Sequence, residues 1–593
     1  MKKRCLRNLA ATWVLLLLPG WGLAQPRAAT EDPVLSAMLK ELERSRALRL
    51  ASLDPPYFIE YALEDARSFQ AVATLGAIVA RDERRYRAPR VQVRAGDYDF
   101  DNTNYVFSDF FSQRGQAGAA PLDDDPLALQ TFFWLNTDAA YKGAVAAIAR
   151  KRAALKSLSQ PDNTPDFSRA EPVEMIRETR LAPVDARLWT ERARKLSGVF
   201  ADYPAIIASA LTFGAIQSTS YLANSEGTVL RYADNAFYLR IRAEAQARDG
   251  MMLRNAEVAQ GLAEDQLPAE AELERIVRRV GEDLEALVNA PVGDAYVGPV
   301  LLEGIAAPQF FAQVLGENLW APRRPVPEPG RNIPFQPSEL EGRIGSRILP
   351  EWISVVDDPG QTGWHGRPLF GHYLIDLEGV KPERVEVVRD GVLRSFLTTR
   401  QPSAGNSASN GHARLPGPFG AKQAAFGNLF IGASETSTSA GLRRKLLEMC
   451  AQRRKDYGLI IRKLDFPSSA SLEELRSSAS RAQREGQAGR LVSAPILAYR
   501  VYPDGREELV RGLEFRGVTA RALRDIIAAS DESIVFSFMG NSAPLSLMGA
   551  PGYVATQSVV APAVLFEELE LRVNNVDLPK PPVVPPPDLV KPD

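Results

Sequence analysis

The stretch Gly298-Pro-Val-Leu-Leu-Glu-Gly-Ile-Ala-Ala-Pro-Gln-Phe-Phe-Ala-Gln-Val-Leu315 changes its period midway. From Tyr296 to Leu302 the run is apolar and predicts a strand; from Glu303 the spacing predicts a helix over 303–319. Just upstream lies the clearest helical pattern in the chain, 269–289. There Leu273, Ile276, Val277, Val280, Leu284, Leu287 and Val288 recur at i, i+3, i+4 and i+7, and Pro291 closes the run.

Towards the N-terminus, residues 31–53 predict an amphipathic helix marked by Leu35, Met38, Leu39 and Leu42. Three strands are expected next, at Tyr57–Leu63, Val72–Val79 and Arg90–Arg94, followed by a loop at 96–102. Residues 126–158 return to helical composition. The polar stretch 160–172, with Pro161, Pro165 and Pro172, reads as a linker or surface loop. A helix is predicted at 183–197, then a β-rich run over 203–248. That run turns at Asn224–Thr228, with a second turn expected at Ala233-Asp-Asn235.

Downstream, Pro322, Pro325, Pro327 and Pro329 form a break, where the main domain boundary is placed. The remainder reads mostly β. Val385–Leu397 predicts a hairpin turning at Asp390-Gly391, and Ile496–Val510 one turning at Asp504-Gly505. Helices are expected at 441–457, 471–485 and 518–529, the second opened by the capping pattern Ser471-x-x-Glu474. The organisation expected is a leader at 1–24, an extension and first part of the N-terminal domain at 25–170, and its remainder at 171–321. A Pro-rich linker at 322–337, a β domain at 338–578 and a Pro-rich tail at 579–593 complete it.

A chain of 593 residues is too long for one core. A net charge of −2 gives no electrostatic footprint for nucleic acid, so no nucleic-acid partner is expected. Lys2, Lys3, Arg4 and Arg7 precede the apolar stretch Leu9–Leu18, and Gly22-Leu23-Ala24 suits signal peptidase. The apolar run is short for a membrane span, so export to the periplasm is expected, with an uncleaved anchor as the alternative. After cleavage only Cys450 remains, which excludes an internal disulfide and a Cys-rich zinc site. Its apolar spacing places it in a helix core.

Several blocks, in order, resemble one family. They are Asn224-Ser-Glu-Gly-Thr228 with Asp249-Gly250, Ser354-Val-Val-Asp-Asp-Pro359, Asp376-Leu-Glu-Gly-Val380, Gly391–Arg400, Ser409-Asn-Gly-His-Ala-Arg414 and Asn428-Leu-Phe430. Together they resemble the TldD/PmbA family of metallopeptidase-related proteins, once called modulators of DNA gyrase, over about residues 200–575. The resemblance implies an α+β fold: an N-terminal α/β domain with a mixed sheet and long helices, and a C-terminal, mainly antiparallel β domain. It also implies paired subunits that process peptides, one of which, the TldD type, carries the metal. The metal-bearing members have His-Glu-x-x-x-His where this chain has Leu302, Glu303 and Ala307. Neither Leu302 nor Ala307 has a lone pair for a metal, so this chain resembles the metal-less PmbA or TldE type.

Glu303 is the candidate catalytic residue, a remnant of that motif. The other reading of it is a carboxylate favoured by a helix start. His365, His372 and His412, with Asp357, Asp358 and Asp376 near in sequence, make up an alternative metal set, although His-x6-His matches no standard spacing. No Gly-x-Ser-x-Gly elbow supports a serine hydrolase, and 405–411 lacks a phosphate-loop ending. The basic runs at 443–445 and 453–455 read as a solvated helix face. Asn410, Gly411, Arg414 and Asn428 match family positions near the groove and are the candidate peptide-binding residues, by strand addition.

The function expected is that of an exported, non-catalytic peptide-binding or partner subunit in proteolysis. It would work as a homodimer or as a heterodimer with a TldD-type subunit, and no cofactor is predicted. The alternatives are an active metallopeptidase with an atypical site, which would need zinc, and a structural envelope protein.

Overall fold

A computed structural model describes residues 31–48, 53–107, 120–156, 164–179, 181, 184–330, 333, 335–403, 407–416, 421–467, 492–540 and 555–573. The expected leader, the 471–485 helix and the 579–593 tail lie outside these. The fold is α+β, with helices packed on two large sheets.

The first sheet uses β1 (Pro56–Thr74), β2 (Ala77–Ala95), β4 (Glu174–Ile176), β5 (Ile206–Asn224), β6 (Val229–Gln246) and β7 (Met252–Gly261), with the short β3 (Tyr105–Val106) set apart from it. Its order is β2-β1-β5-β6-β4, with β7 also on β6. All pairs are antiparallel except β4 with β6, so the sheet is mixed. Helices α1 (Pro33–Arg46) and α2 (Pro126–Leu155) pack with one end of this sheet around Tyr61, Leu63 and Tyr221. Helices α3 (Ala186–Gly198) and α4 (Glu270–Asn289) pack with the other around Phe213, Leu239 and Ile241. Side chains of Asp32, Asp125 and Asp185 cap the first three helices by accepting from otherwise orphaned backbone N–H groups.

The second sheet begins at β8 (Tyr296–Leu302), ahead of the Pro-rich stretch, which contributes β9 (Val326–Pro327) paired with β3. It adds β10 (Ile353–Asp357), β13 (Val385–Arg389), β14 (Val392–Leu393), β17 (Asn428–Ala433), β18 (Gly458–Leu464), β19 (Pro495–Val501), β20 (Glu507–Val510), β21 (Leu513–Phe515), β22 (Ile526–Gly540) and β23 (Ala555–Val573). Two small hairpins, β11 (Gly363–Trp364) with β12 (Arg367–Pro368) and β15 (Ala413–Pro416) with β16 (Lys422–Ala424), stand apart. The order is β14-β13-β10-β17-β23-β8-β18-β19-β20, and β23 also pairs with β21 and β22. Most pairs are antiparallel; β17 with β23 and β8 with β18 are parallel. All nine residues of α5 (Ala306–Val314) are buried on this sheet, with Phe310 edge-on to Phe566. Helix α6 (Ser439–Gln452) buries Cys450 beside Leu301, Ile460 and Leu565. Among the described residues no helix is long and apolar enough to cross a membrane.

Four local expectations are corrected. Val72–Val79 is not a strand but the tip of the β1–β2 hairpin, turned by Leu75 and Gly76 at φ 46° and 81°. Ala233–Asn235 is not a turn; it lies within β6 opposite Thr219, Ser218 and Gln217. The 303–319 helix starts only at Ala306, because Gly304 at φ 59° first bends the chain, and a 3-10 turn at Gly316–Asn318 follows. The 518–529 helix is a 3-10 turn at Ala520–Asp525, after which Ile526 onwards pairs with β23.

Candidate functional site

Leu302 ends β8 in register with Ile461 of β18 and Val564 of β23. The Glu303 N–H donates to the Ile461 carbonyl at 2.9 Å, and Gly304 turns so close to β18 that an added Cβ would lie 3.2 Å from the Arg462 carbonyl oxygen. That turn drives Leu302 and Ala307 into one core with Phe310 and Phe311, all at 0% exposure. Glu303 stays at the rim, where its Oε1 accepts from Arg462 Nε at 2.6 Å and Arg443 Nη2 at 2.9 Å. Both arginines also pair with Glu507, at 2.8 and 3.1 Å, closing a four-membered ring of alternating charge. Arg443, expected on a solvated face, is therefore ion-paired to the motif glutamate. The residues at the motif positions do not fit a zinc ion: two are aliphatic core side chains, and the third is held by two guanidinium groups.

The loop residues gather around the end of β10. Asn410 Oδ1 accepts from the Thr398 N–H at 2.7 Å, and its Nδ2 donates to the Phe396 carbonyl at 2.9 Å. Gly411 is left-handed, φ 77°, and an added Cβ would lie 2.2 Å from the Lys381 carbonyl oxygen. Fully buried His412 bonds Asp357 through Nε2 at 2.8 Å, while its Nδ1 lies 2.9 Å from two oxygens of Asn410. Nδ1 faces acceptors only, so it donates. Asp357 also accepts from the Gly427 N–H, next to Asn428. Asn428 accepts from the Gly371 N–H at 3.1 Å and donates to the Gln361 carbonyl at 2.9 Å. Arg414 donates to Thr556 Oγ1 at 3.0 Å and stacks 3.8 Å over the Tyr373 ring, while its Nη1 has no hydrogen-bond partner among the described residues.

These loop residues form one group, and Glu303 is not in it. Asn428 is level with Ser558 of β23 and Leu302 with Val564, about 20 Å further along that strand at 3.3 Å per residue. His372 bonds the Pro359 carbonyl through Nδ1 at 2.8 Å, and His365 sits in the β11–β12 turn at φ 46°. Among the described residues, no three His, Cys, Asp or Glu side chains converge as a metal site.

Sequence reasoning missed a buried charge centre between the two sheets. Arg400, at 0% exposure, donates to the Ser168 carbonyl, pairs with Glu226 and lies over Phe167. Its own N–H donates to Glu378. Arg90 of β2 donates to the Leu377 carbonyl and to Glu60. Burial, then the neighbouring Glu378, pushes the Asp376 carboxyl up to about 7. Burial likewise pulls the Lys422 ammonium down to about 7. The block Asp376-Leu-Glu-Gly-Val380 was the available signal, but nothing in it names partners from β1 and β2.

Residues 298–469 match the family model described as the PmbA/TldA metallopeptidase C-terminal domain. A protein named metalloprotease from Methanothermobacter thermautotrophicus is 25% identical over 196 residues, 33% of this chain and 40% of that protein. Another, from Archaeoglobus fulgidus, is 36% identical over 78 residues, 13% of this chain and 17% of that protein. The match thus spans less than half the length of these curated relatives. The crystal structure of TldE from Thermococcus kodakarensis superposes with a TM-score of 0.54 at 14% identity, covering 90% of this chain and all of that one. At that identity the likeness is one of fold.

Proposed function

From a TldD/PmbA-related chain with a metallopeptidase-type C-terminal domain, we propose a peptide-handling subunit that supplies no catalytic metal of its own. The observation that carries this reading is the state of the three motif positions. Leu302 and Ala307 are aliphatic and wholly buried, and Glu303 is shared between Arg443 and Arg462. A glutamate that activates water needs a metal-bound water in front of it. Here two guanidinium groups occupy that place.

In this reading the chain is exported, as its basic and apolar N-terminus suggests, and acts in the periplasm. It binds extended peptide and pairs with a subunit that has an intact His-Glu-x-x-x-His. The fold likeness to a TldE supports such a pairing. The test uses the mature chain purified without chelator, with its metal content and peptide cleavage measured alone and with such a partner. The expected result is no stoichiometric zinc, peptide binding without cleavage, and cleavage only with the partner. About one zinc per chain with chelator-sensitive cleavage by the chain alone would overturn it.

A further inference from the structure

The Pro-rich stretch does more than join the two domains. Trp320 follows the 3-10 turn at Gly316–Asn318, and Pro322 and Pro325 keep the next residues out of a helix. Val326 then pairs with Tyr105, and its N–H donates to the Asn104 carbonyl at 2.9 Å. This crossing leaves a partly open cavity of about 30 Å³ against the end of β2. Arg94 and Asn104 wall it from the first domain, Trp320, Arg323 and Phe335 from the Pro-rich stretch, and Gln401 from the second domain. It has room for about two water-sized atoms.

The charge around the cavity sets the sign of what it suits. Arg94 pairs with Asp101 at 2.7 Å, Arg323 pairs with Asp166 at 3.1 Å, and Lys151 also pairs with Asp166. Within that group three cations lean on two carboxylates, which leaves one positive charge over. Arg324 lies 4.9 Å over the Phe335 ring and makes no hydrogen bond or ion pair among the described residues. Ala421 completes the wall. Next to it the Lys422 side chain, 7% exposed, has no hydrogen-bond or ion-pair partner among the described residues, and the charge of Arg94 acts on it. Positive charge in excess suits an anion, and guanidinium groups suit a carboxylate. The volume favours a group with two oxygens over a phosphate with four. Beside the polar part, Trp320, Pro322, Pro325 and Phe335 make an apolar wall. In the last residue of a peptide the carboxylate and the side chain leave from one carbon, so a chain end meets both walls at once. An acidic side chain brings only the carboxylate.

We propose that this cavity receives the C-terminal carboxylate of a bound peptide, drawn by Arg94, Arg323 and Arg324, with the last side chain against Trp320 and Phe335. The inference rests on the peptide-handling reading above and adds which end of the peptide is held.

The test is fluorescence anisotropy on the full chain, with a peptide labelled at its N-terminus and ending in phenylalanine, as the free acid and as the C-terminal amide. The free acid is expected to bind about tenfold tighter. Arg324→Gln should cut that ratio to about threefold or less and leave the amide peptide unchanged. Arg324 is exposed, so this change spares the fold, which circular dichroism would check. Ala421→Leu fills the cavity and should bring the ratio to about one. Equal binding of acid and amide by the unaltered chain would overturn the site but leave the peptide reading standing. No binding of either would overturn both, and an undiminished ratio in the two variants would overturn the site alone. A third peptide, an amide ending in glutamate, separates the sources of the carboxylate: binding as tight as that of the free acid would overturn the assignment to the chain end.

Discussion

Glu303 shares both of its arginine partners with Glu507; Glu303 is 14% exposed but Arg443 is 42% exposed, so solvent weakens the ring on that side. Glu303→Gln keeps the shape but removes the charge from two charge-assisted bonds, with an expected loss of about 1–2 kcal/mol in urea unfolding. Peptide affinity should not change. A catalytic glutamate would give the reverse, a stable fold with cleavage abolished, so unfolding and peptide assays on this one variant separate the two roles. His412 carries the same lesson. The sequence offers it as a possible ligand, but one ring nitrogen faces Asp357 and the other Asn410, so both ring nitrogens are engaged and neither is left to bind a metal. Residue type alone did not tell a ligand from a brace, because the partners come from Arg462, Arg443 and Asp357, far off in sequence.

Turns are the elements that local sequence specifies best, since two residues hold most of the information. Asp390 and Gly391 at φ 48° and 74° make the hairpin that Asp-Gly predicts, although its second strand covers only Val392–Leu393. Gly391 has a second duty, because an added Cβ would lie 2.3 Å from the Leu349 carbonyl oxygen. Gly505, φ 85°, has nothing within 4 Å of that position. Gly391→Ala is therefore expected to cost about 2 kcal/mol or more, and Gly505→Ala only about 1 kcal/mol, read as thermal-unfolding shifts. Equal shifts would mean that backbone conformation alone sets the cost. The misread elements fail for a complementary reason. Val72–Val79 is apolar on both sides of a two-residue turn, so composition hid the reversal. Ala233-Asp-Asn235 has turn residues, but the ladder to β5 holds them extended. Ile526 onwards could continue a helix, and β23 captures it instead.

For the whole molecule, the contact between the two sheets is a buried polar seam as well as an apolar one, and Lys422 is a pH-sensitive group within it. Its ammonium loses its proton near pH 7 in the folded chain against 10.5 in the unfolded one. The unfolded state therefore holds more protons across that window, and this group makes stability rise with pH through it. Lys422→Met should remove that rise and stabilise the fold most at and below about pH 7, on the order of a few kcal/mol, as read from urea midpoints at several pH values. An unchanged pH slope would place the charge cost elsewhere. The sequence by itself determined the helices with strong 3.6-residue periodicity, the Asp-Gly hairpins, the α+β class through its resemblance, and the aliphatic character of Leu302 and Ala307. These are facts of local pattern and side-chain chemistry, and they hold wherever the chain folds. Only the tertiary structure decided that Glu303 is bound by two arginines, that β8 belongs to the second sheet, and that Glu378, Arg400 and Lys422 meet β1 and β2. Each of those depends on strand register between segments tens to hundreds of residues apart, which sets who neighbours whom and how much water is excluded.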